Sequence, residues 1–375
     1  MRIIVLGNCQ GKGGGPTHFQ LLLHFLVSEG HCVLGIGIGD ANLCHINNSG
    51  LYSFIRVNQS ALSLGAKVSK RLVLEAVAIR SRLFDPALFV AVGYGSSYAF
   101  IAQKLSEKRC FSFYHELIAN PPKSDPLRES LVNAFDAIAV QSPKMRAPFL
   151  NSIPTTKPVV SLPCFADAPP FIGLPQMPSP QDPIRLVYFG RLASNKGLVP
   201  FISAFSSVAD EHDLTLDIYG TGPEEDAISK AITTTSTMHR VQLKGAYPDG
   251  PEYAKLLLSY HTLVLPCIEG EGLPLVLLEA MSAGLPFVTT DIGAISDCAA
   301  NNPDVQVVAP LVPALSSALV TQVKLLRQGS IIPSRLKQYY DSNYCADVLF
   351  KPWREMLLSP ESYFKYHDTL LRSSN

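Results

Sequence analysis

The sequence predicts an α/β protein made of two doubly wound domains, each with a parallel sheet. Short apolar runs alternate with helix-like segments along most of the chain, which is typical of a parallel α/β architecture. At 375 residues the chain is too long for one typical core and predicts two domains. Prolines crowd into the segment from Ser161 to Pro183, as in a stiff interdomain linker.

The proline-rich segment divides the chain into four parts. We expect an N-terminal domain over residues 1–165, a linker over residues 166–183, a second domain over residues 184–345 and a C-terminal segment over residues 346–375. Hydrophobic residues make up 47% of the sequence and charged residues 17%, which indicates a packed globular protein and not a disordered one.

The charge balance argues against nucleic acid as a partner. Lys and Arg total 31, as do Asp and Glu, so no net field attracts polyanions to the whole molecule. The longest uncharged apolar stretch, residues 86–102, contains glycines, serines and tyrosines and predicts no transmembrane segment. Peripheral contact with a membrane stays open.

The eight cysteines are scattered singly, with no Cys-x-x-Cys pair and no histidine at metal spacing. This pattern predicts reduced core cysteines in a cytoplasmic protein, and no zinc site.

The N-terminal domain begins with a predicted βαβ unit. Residues 3–6 form its first strand, residues 11–15 a glycine-rich turn, residues 17–28 a helix and residues 33–38 the next strand. Further strands are expected at 88–92, 110–114 and 137–140, and helices at 69–82, 96–105 and 125–135. Residues 42–58 have no clear period, so we expect irregular structure there.

The second domain repeats this alternation. Strands are expected at residues 184–189, 214–219, 241–243, 263–265 and 287–290, with helices near 198–209, 224–233 and 251–259. Beyond Pro313 the chain becomes helical, and residues 344–358 contain the only tryptophan, Trp353, which is typical of a packing anchor.

One strand, loop and helix unit carries the strongest functional signal. A strand over residues 263–265 is followed by a glycine-rich elbow and a helix over residues 275–283, which Gly284 and Pro286 end. Such an elbow lies at the carboxyl edge of a parallel sheet, where helix N-termini bind phosphate. Glu271 stands before this helix and Glu279 within it.

A second loop follows the first strand of this domain directly. It contains Arg191 and Lys196 between Gly190 and Gly197, so two cations lie at the same sheet edge. An arginine fork and a lysine point charge are suited to a diphosphate. Gly220 and Gly222 follow the next strand and form a tight turn in which the backbone can approach a ligand.

These motifs resemble those of the retaining glycosyltransferases of family 4 (GT4), the glycosyl transferases group 1, which have the GT-B fold. The similarity lies in Glu-Gly-Leu-Pro at Glu271 and Glu-Ala-Met-Ser-Ala-Gly at Glu279. It implies that Glu271 contacts the donor sugar and that Glu279 holds the nucleotide ribose. The backbone amides that would face the diphosphate are those of Gly272, Leu273 and Leu275.

The resemblance extends to other motifs. Gly190-Arg191-x4-Lys196-Gly197 resembles the second signature of the family, which implies that Arg191 and Lys196 neutralise the departing nucleoside diphosphate. Gly222 would then lie near the base or ribose. In the N-terminal domain, Gly14 and Gly15 match the family's phosphate-binding loop, although Pro16 and Thr17 depart from its usual form. His115 resembles the histidine that lines the donor sugar pocket.

The GT-B resemblance implies two Rossmann-like domains that face each other across a cleft. The second domain would bind the nucleotide, the first would bind the acceptor, and a C-terminal helix would cross back to the first domain. A P-loop and a dinucleotide fingerprint do not fit, because the glycines after the first strand have the wrong spacing for either.

The expected reaction moves a hexosyl unit from a nucleoside diphosphate sugar, such as a UDP- or GDP-hexose, to an acceptor hydroxyl with retention of configuration. In the front-face route of the family, the leaving phosphate accepts the acceptor's proton. The chain has no Asp-x-Asp motif, so we expect no metal and no cofactor. Saccharide, lipid-linked and small-metabolite acceptors all remain open.

Two alternatives stay open at this point. A GT-B sugar-nucleotide epimerase or hydrolase would share the nucleotide site and act on the donor alone. A non-catalytic glycosyltransferase-like subunit would bind a nucleotide or a partner without turnover.

Overall fold

The structure is a computed structural model of the chain. It describes residues 1–10, 13–41, 43, 46, 50–58, 67–95, 98–106, 110–118, 121–123, 125–165, 173–179, 181–235, 237–299 and 302–373, without the side chains of residues 67–70, 106 and 298. The chain divides into two compact units. Unit 1 comprises Met1–Phe165 and Leu349–Asn375, and unit 2 comprises Ala166–Val348. Part of the predicted linker, residues 166–172 and 180, lies outside the described residues.

Unit 1 contains a seven-stranded parallel sheet. Its strands are β1 (Arg2–Asn8), β2 (Cys32–Ile38), β3 (Tyr52–Val57), β4 (Leu88–Val92), β5 (Phe111–Glu116), β6 (Ala137–Val140) and β7 (Val159–Ser161), in the order β3-β2-β1-β4-β5-β6-β7. The central strands β4 and β6 are buried along their whole length. This burial explains their continuous apolar sequences, because helices cover both faces of a parallel sheet.

Among the described residues, five helices connect these strands: α1 (Gly14–Ser28), α2 (Lys67–Phe84), α3 (Tyr98–Ser106), α4 (Pro126–Ala134) and α5 (Pro143–Ser152). The side chain of Asp125 caps α4 by accepting hydrogen bonds from the amides of Leu127 and Arg128. Helix α1 packs its buried apolar face against β1 and β2.

Unit 2 contains a six-stranded parallel sheet. Its strands are β8 (Ile184–Phe189), β9 (Leu214–Tyr219), β10 (Val241–Gly245), β11 (Thr262–Leu265), β12 (Phe287–Thr290) and β13 (Gln306–Val308), in the order β10-β9-β8-β11-β12-β13. Strands β8 and β11 pair directly, so the chain order reverses between them. The loops that follow these two strands therefore emerge side by side, at the point of an open α/β sheet where ligands bind.

The helices of unit 2 are α6 (Leu198–Ser206), α7 (Ala209–His212), α8 (Glu225–Thr234), α9 (Gly250–Leu258), α10 (Leu275–Ala283), α11 (Ile295–Ala299), α12 (Val312–Arg327) and α13 (Pro333–Asn343). Helix α10 packs against α13 and α9 and is almost entirely buried, which agrees with its lack of charged residues other than Glu279. Gly284 ends α10 in the left-handed conformation, as its sequence predicts.

The C-terminal helices α14 (Ala346–Leu358) and α15 (Pro360–Ser373) bring the end of the chain to unit 1. Trp353 on α14 is fully buried, and its indole N–H donates to the carbonyl oxygen of Pro163 at 2.9 Å. Trp353 is thus a packing anchor, as predicted. On α15, the carboxylate of Asp368 accepts from the Val159 amide of β7 at 3.1 Å and from Arg146 at 3.0 Å.

The two predicted parallel-sheet domains are confirmed, while several local predictions are wrong. Residues 52–57 form the edge strand β3 instead of irregular structure, because pairing with β2 supplies hydrogen bonds that a weak local pattern does not reveal. Helix α1 begins at Gly14 and not at Thr17. The sequence does not predict helix α5, because Pro143 and Pro148 argue against a helix. Pro143 lies in the first turn, where a helix tolerates proline.

No helix in the described part of the chain is long and apolar enough to cross a membrane. Among the described side chains, the free cysteines are Cys9, Cys32, Cys110, Cys164, Cys267 and Cys345.

Candidate functional site

The loop after β8 packs directly against the end of β11 in unit 2. A Cβ atom added at Gly197 would lie 2.2 Å from the carbonyl oxygen of Pro266, so only glycine fits at this left-handed position. The Ile268 amide also donates to the carbonyl oxygen of Asn195 at 2.9 Å. These contacts hold Lys196 beside the residues that follow β11.

Lys196 and Glu271 form an ion pair at this carboxyl edge. The ammonium nitrogen lies 2.5 Å from the Oε2 atom of Glu271, and the two side chains are only 17% and 13% exposed. The thiol of Cys267 donates to the same carboxylate oxygen at 3.3 Å. Two motifs that lie 75 residues apart in sequence therefore meet at one carboxylate.

The surroundings of this pair set its protonation. Burial opposes the charge on Lys196, but the neighbouring Glu271 carboxylate outweighs it and raises the pKa of the lysine. Burial, and then the charge of Glu271, raise the pKa of the Cys267 thiol well above its usual range. At neutral pH the site thus contains a charged ammonium group and a protonated thiol.

Arg191 lies on the same loop, and its side chain is exposed. Its carbonyl oxygen accepts a hydrogen bond from the hydroxyl of Tyr188 at 2.9 Å, which fixes the backbone that leaves β8. One predicted cation is therefore shielded and paired, while the other faces solvent.

The glycines after β9 let a third loop approach the first. A Cβ atom at Gly220 would lie 1.8 Å from the carbonyl oxygen of Gly190, and one at Gly222 would lie 2.2 Å from that of Leu192. The Leu192 amide donates to the carbonyl oxygen of Thr221 at 3.0 Å. The turn thus brings two backbones into contact, and the predicted approach of Gly222 to a base or ribose stays a prediction.

Helix α10 follows the Glu271 elbow and places its N-terminus at the same edge. Gly272, Leu273 and Leu275 are buried there, and the first turn of α10 carries no acidic side chain. The partial positive charge of a helix N-terminus favours a phosphate group at this place. Glu279, in the second turn, is half-buried.

Tyr253 on α9 contacts Glu279, and sequence reasoning missed this residue. Its hydroxyl donates to the Oε2 atom of Glu279 at 2.8 Å, and its ring packs edge-on against Phe189 with centroids 5.2 Å apart. Burial, and then the Glu279 charge, raise the pKa of Tyr253 well above its usual range, so it remains a donor. The same causes raise the pKa of Tyr247, which packs on Tyr253, to about 12.

In unit 1, the predicted phosphate loop coincides with a helix N-terminus. Gly14 and Gly15 form the first turn of α1, and the Thr17 amide donates to the carbonyl oxygen of Gly13 at 3.1 Å. The first two residues of the turn predicted over 11–15 lie outside the described residues. The described glycines stand at the carboxyl end of β1, where a parallel sheet presents its loops.

The sequence predicts that His115 follows a strand, and this is wrong. His115 lies within β5 and is fully buried. Its Nε2 atom lies 3.0 Å from the carbonyl oxygen of Leu162, which can only accept, so this nitrogen carries the hydrogen. Its Nδ1 atom then accepts from His18 Nε2 at 3.2 Å, and His18 Nδ1 accepts from the Phe165 amide at 3.1 Å. Contact of His115 with a donor sugar stays a prediction.

Both rings of this histidine pair are neutral. Burial lowers the pKa of His115 to about 4. Burial, and then His115, lower the pKa of His18 well below its usual range. The Cys164 thiol completes a group whose ligand-type atoms lie within 4.8 Å of one another. A metal on His18 Nε2 would require a proton on Nδ1, where the Phe165 amide already donates, so we assign no metal to this group.

Part of the chain is similar to proteins of a known family. Residues 183–326 match the family model described as glycosyl transferases group 1. The poly(glycerol-phosphate) alpha-glucosyltransferase of Bacillus subtilis is 38% identical over 115 residues, which are 30% of this chain and 16% of that protein. A glycogen synthase of Mycobacterium tuberculosis H37Rv is 30% identical over 165 residues, 42% and 39% of the two chains. The chain thus spans less than half the length of these relatives.

Solved structures match over nearly the whole chain. Anabaena HepE in complex with UDP-glucose has a TM-score of 0.76 at 16% identity, with 96% of this chain and 100% of that chain covered. Sucrose-phosphate synthase from Thermosynechococcus elongatus has a TM-score of 0.77 at 15% identity, with 96% and 99% covered. The chain therefore has the GT-B fold and carries a glycosyl transferases group 1 domain over residues 183–326.

Proposed function

We propose that this protein is a retaining glycosyltransferase of family 4, which transfers a hexosyl unit from a nucleoside diphosphate sugar to an acceptor hydroxyl without a metal. The observation that carries the proposal is the shielded ion pair of Lys196 and Glu271 beside the N-terminus of α10. Two of the similar proteins add support. The Bacillus subtilis protein is named an alpha-glucosyltransferase, and the structure of Anabaena HepE is a complex with UDP-glucose.

The leaving diphosphate would be stabilised by groups that are already in place. Lys196 is charged at neutral pH, Arg191 lies on the same loop, and α10 directs its positive end to the same edge. Such groups need little reorganisation when charge develops, which makes them effective in a transition state. They would supply the electrostatic stabilisation that a metal ion supplies elsewhere.

Glu271 is held by Lys196 and Cys267, which makes it a fixed acceptor of hydrogen bonds. We assign it to the hydroxyl groups of the donor sugar. In the front-face route, the acceptor oxygen bonds to the anomeric carbon as the bond from that carbon to the phosphate oxygen breaks. The acceptor's proton passes to the leaving phosphate, and attack and departure on one face retain the configuration.

Glu279 would hold the ribose hydroxyls of the donor. Its carboxylate already accepts a hydrogen bond from Tyr253, a side chain that is itself only 6% exposed. A carboxylate oriented in advance loses less conformational entropy when it binds a ligand. The scattered cysteines favour a reducing compartment, and we place the reaction in the cytoplasm.

The test begins with UDP, GDP, ADP and dTDP and their hexose derivatives, measured by thermal shift in EDTA and in magnesium. A metal-independent rise in melting temperature with one base would identify the donor, because ligands that bind only the folded state stabilise it. The stabilising donor is then incubated with a panel of saccharide, lipid-linked and small acceptors. NMR of the product gives its anomeric configuration.

The outcomes separate the alternatives. Conversion of the donor without an acceptor would indicate an epimerase or hydrolase, and binding without turnover would indicate a non-catalytic subunit. An inverted product would refute retention. Lys255→Ala, on the exposed side of α9 in the same unit, is the matched control for changes at Lys196.

A further inference from the structure

Helix α2 of unit 1 has apolar side chains on two opposite faces. The inner face carries Leu74, Val77 and Ala78, which are at most 7% exposed. The outer face carries Leu72, Ile79 and Leu83, which are 66%, 56% and 78% exposed. An ordinary surface helix has only one apolar stripe, which faces the core, so the outer face of α2 needs a separate explanation.

The three outer side chains form one stripe. At about 100° per residue, positions 72, 79 and 83 fall within a narrow sector of the helix surface, and the exposed Ala76 lies between them. The stripe extends about 16 Å along the helix, at 1.5 Å per residue. Exposed apolar residues that are scattered singly are normal, whereas a contiguous stripe marks an interaction surface.

Two arginines flank the stripe. Arg71 lies on one side of it and Arg80 on the other, and both are exposed. The acid nearest to the stripe, Glu75, is paired with Lys104 of α3 at 3.7 Å. Arg82 lies on the same side of the stripe as Glu75, and it donates to the carbonyl oxygen of Lys104 at 3.0 and 3.1 Å. The stripe is therefore bordered by positive charge, in a chain whose formal net charge is +0.

We propose that the outer face of α2 docks on an anionic lipid bilayer. Leu72, Ile79 and Leu83 enter the interface between headgroups and acyl chains, while Arg71 and Arg80 reach the lipid phosphates. A helix with an apolar face and flanking cations lies in the plane of such an interface. Basic residues close to an anionic membrane surface are attracted to it.

The size and shape of the stripe favour lipid over a second protein surface. A stable protein interface buries about 800 Å² per partner with close shape complementarity. Three aliphatic side chains on one convex helix supply only part of that area, whereas a fluid bilayer needs no preformed groove. This proposal does not depend on the proposed glycosyl transfer, because none of these residues belongs to the nucleotide site of unit 2.

The test is sedimentation of the full chain with vesicles. One set contains phosphatidylcholine alone, and the other an equal mixture of phosphatidylcholine and phosphatidylglycerol. We expect binding to the mixed vesicles that weakens with added salt, since exposed charges are screened. The triple variant Leu72→Ser, Ile79→Ser and Leu83→Ser should bind at least about tenfold more weakly, as the loss of buried apolar area requires. Arg71→Gln with Arg80→Gln should abolish the preference for the anionic vesicles.

Matched controls are available in unit 2. Met238→Ser and Leu311→Ser remove side chains that are 66% and 61% exposed, and they should leave vesicle binding unchanged. The melting temperature of each variant, and its shift with nucleoside diphosphates, verify folding and the nucleotide site separately.

Three results would overturn the proposal. The parent chain could fail to sediment with anionic vesicles, or the triple variant could bind them as well as the parent does. Light scattering could also show a dimer that the triple variant dissociates, which would assign the stripe to a second copy of the chain.

Discussion

The Lys196–Glu271 pair of unit 2 and the His18–His115 pair of unit 1 differ in charge and in exposure. In unit 2, a charged lysine and a carboxylate meet at the carboxyl edge with 17% and 13% of their side chains exposed. In unit 1, the neutral side chains of His18 and His115 are fully buried, at 0% exposure. The ring of His115 packs on Trp353 with centroids 5.6 Å apart. A shared architecture thus places one pair where it can meet a ligand and the other within a hydrophobic core.

The largest expected effect tests the charged pair. Lys196→Ala should lower kcat about 10³-fold, because it removes a preorganised charge from the site where the leaving group becomes negative. The assay is transfer from the donor identified by thermal shift. Lys255→Ala should remain within a factor of about two. Activity of Lys196→Ala near that of the parent would remove the diphosphate assignment.

The neutral pair of His18 and His115 should contribute to the stability of the fold. His115→Ala leaves the ring of His18 and the carbonyl of Leu162 without their partner and opens a cavity beside Trp353. We expect the free energy of unfolding to fall by about 3 kcal/mol, measured by urea denaturation. The same change at His239, whose side chain is 63% exposed, should cost less than about 0.5 kcal/mol. Equal effects at the two positions would contradict the buried hydrogen-bond chain.

The protonation of His115 predicts a pH dependence. Its pKa of about 4 in the folded protein lies below the ordinary 6.5, so the unfolded chain binds more protons between these values. Stability should therefore be lost as pH falls from 6.5 towards 4, by about 2 kcal/mol at pH 5. Melting temperatures between pH 7 and pH 5 measure this loss, which should shrink in His115→Gln and persist in His239→Gln. An identical slope in all three proteins would refute the prediction.

The smallest effect concerns the orientation of Glu279. Tyr253→Phe removes only the hydroxyl that donates to this carboxylate, so the dissociation constant of the bound nucleoside diphosphate should rise about fivefold to tenfold. Glu279→Ala should weaken binding further. If both act through the ribose, neither change should alter the affinity for the 2′,3′-dideoxy form of the same nucleotide. A loss of affinity for both forms would point to a structural role of Tyr253.

Residues that follow a strand directly could be predicted from the sequence. Lys196 and Glu271 each stand in a short motif after an apolar run, and the parallel sheet brings the ends of such runs together. Tyr253 has no such local signal, since its contact with Glu279 depends on how α9 packs against α10. The predicted strand 110–114 ends two residues before β5 does, which placed His115 after the strand instead of within it, because a strand that ends in polar residues gives no apolar pattern at its end.

The backbone contacts at Gly197, Gly220 and Gly222 have a consequence for protein engineering. At all three positions a Cβ atom would collide with a carbonyl oxygen of a neighbouring loop, at 1.8 to 2.2 Å. Libraries that seek new donor specificity should therefore keep these glycines constant and diversify exposed side chains on the same loops, such as Ser194 and Thr221. The loops would then keep their mutual fit while the chemistry they present is varied.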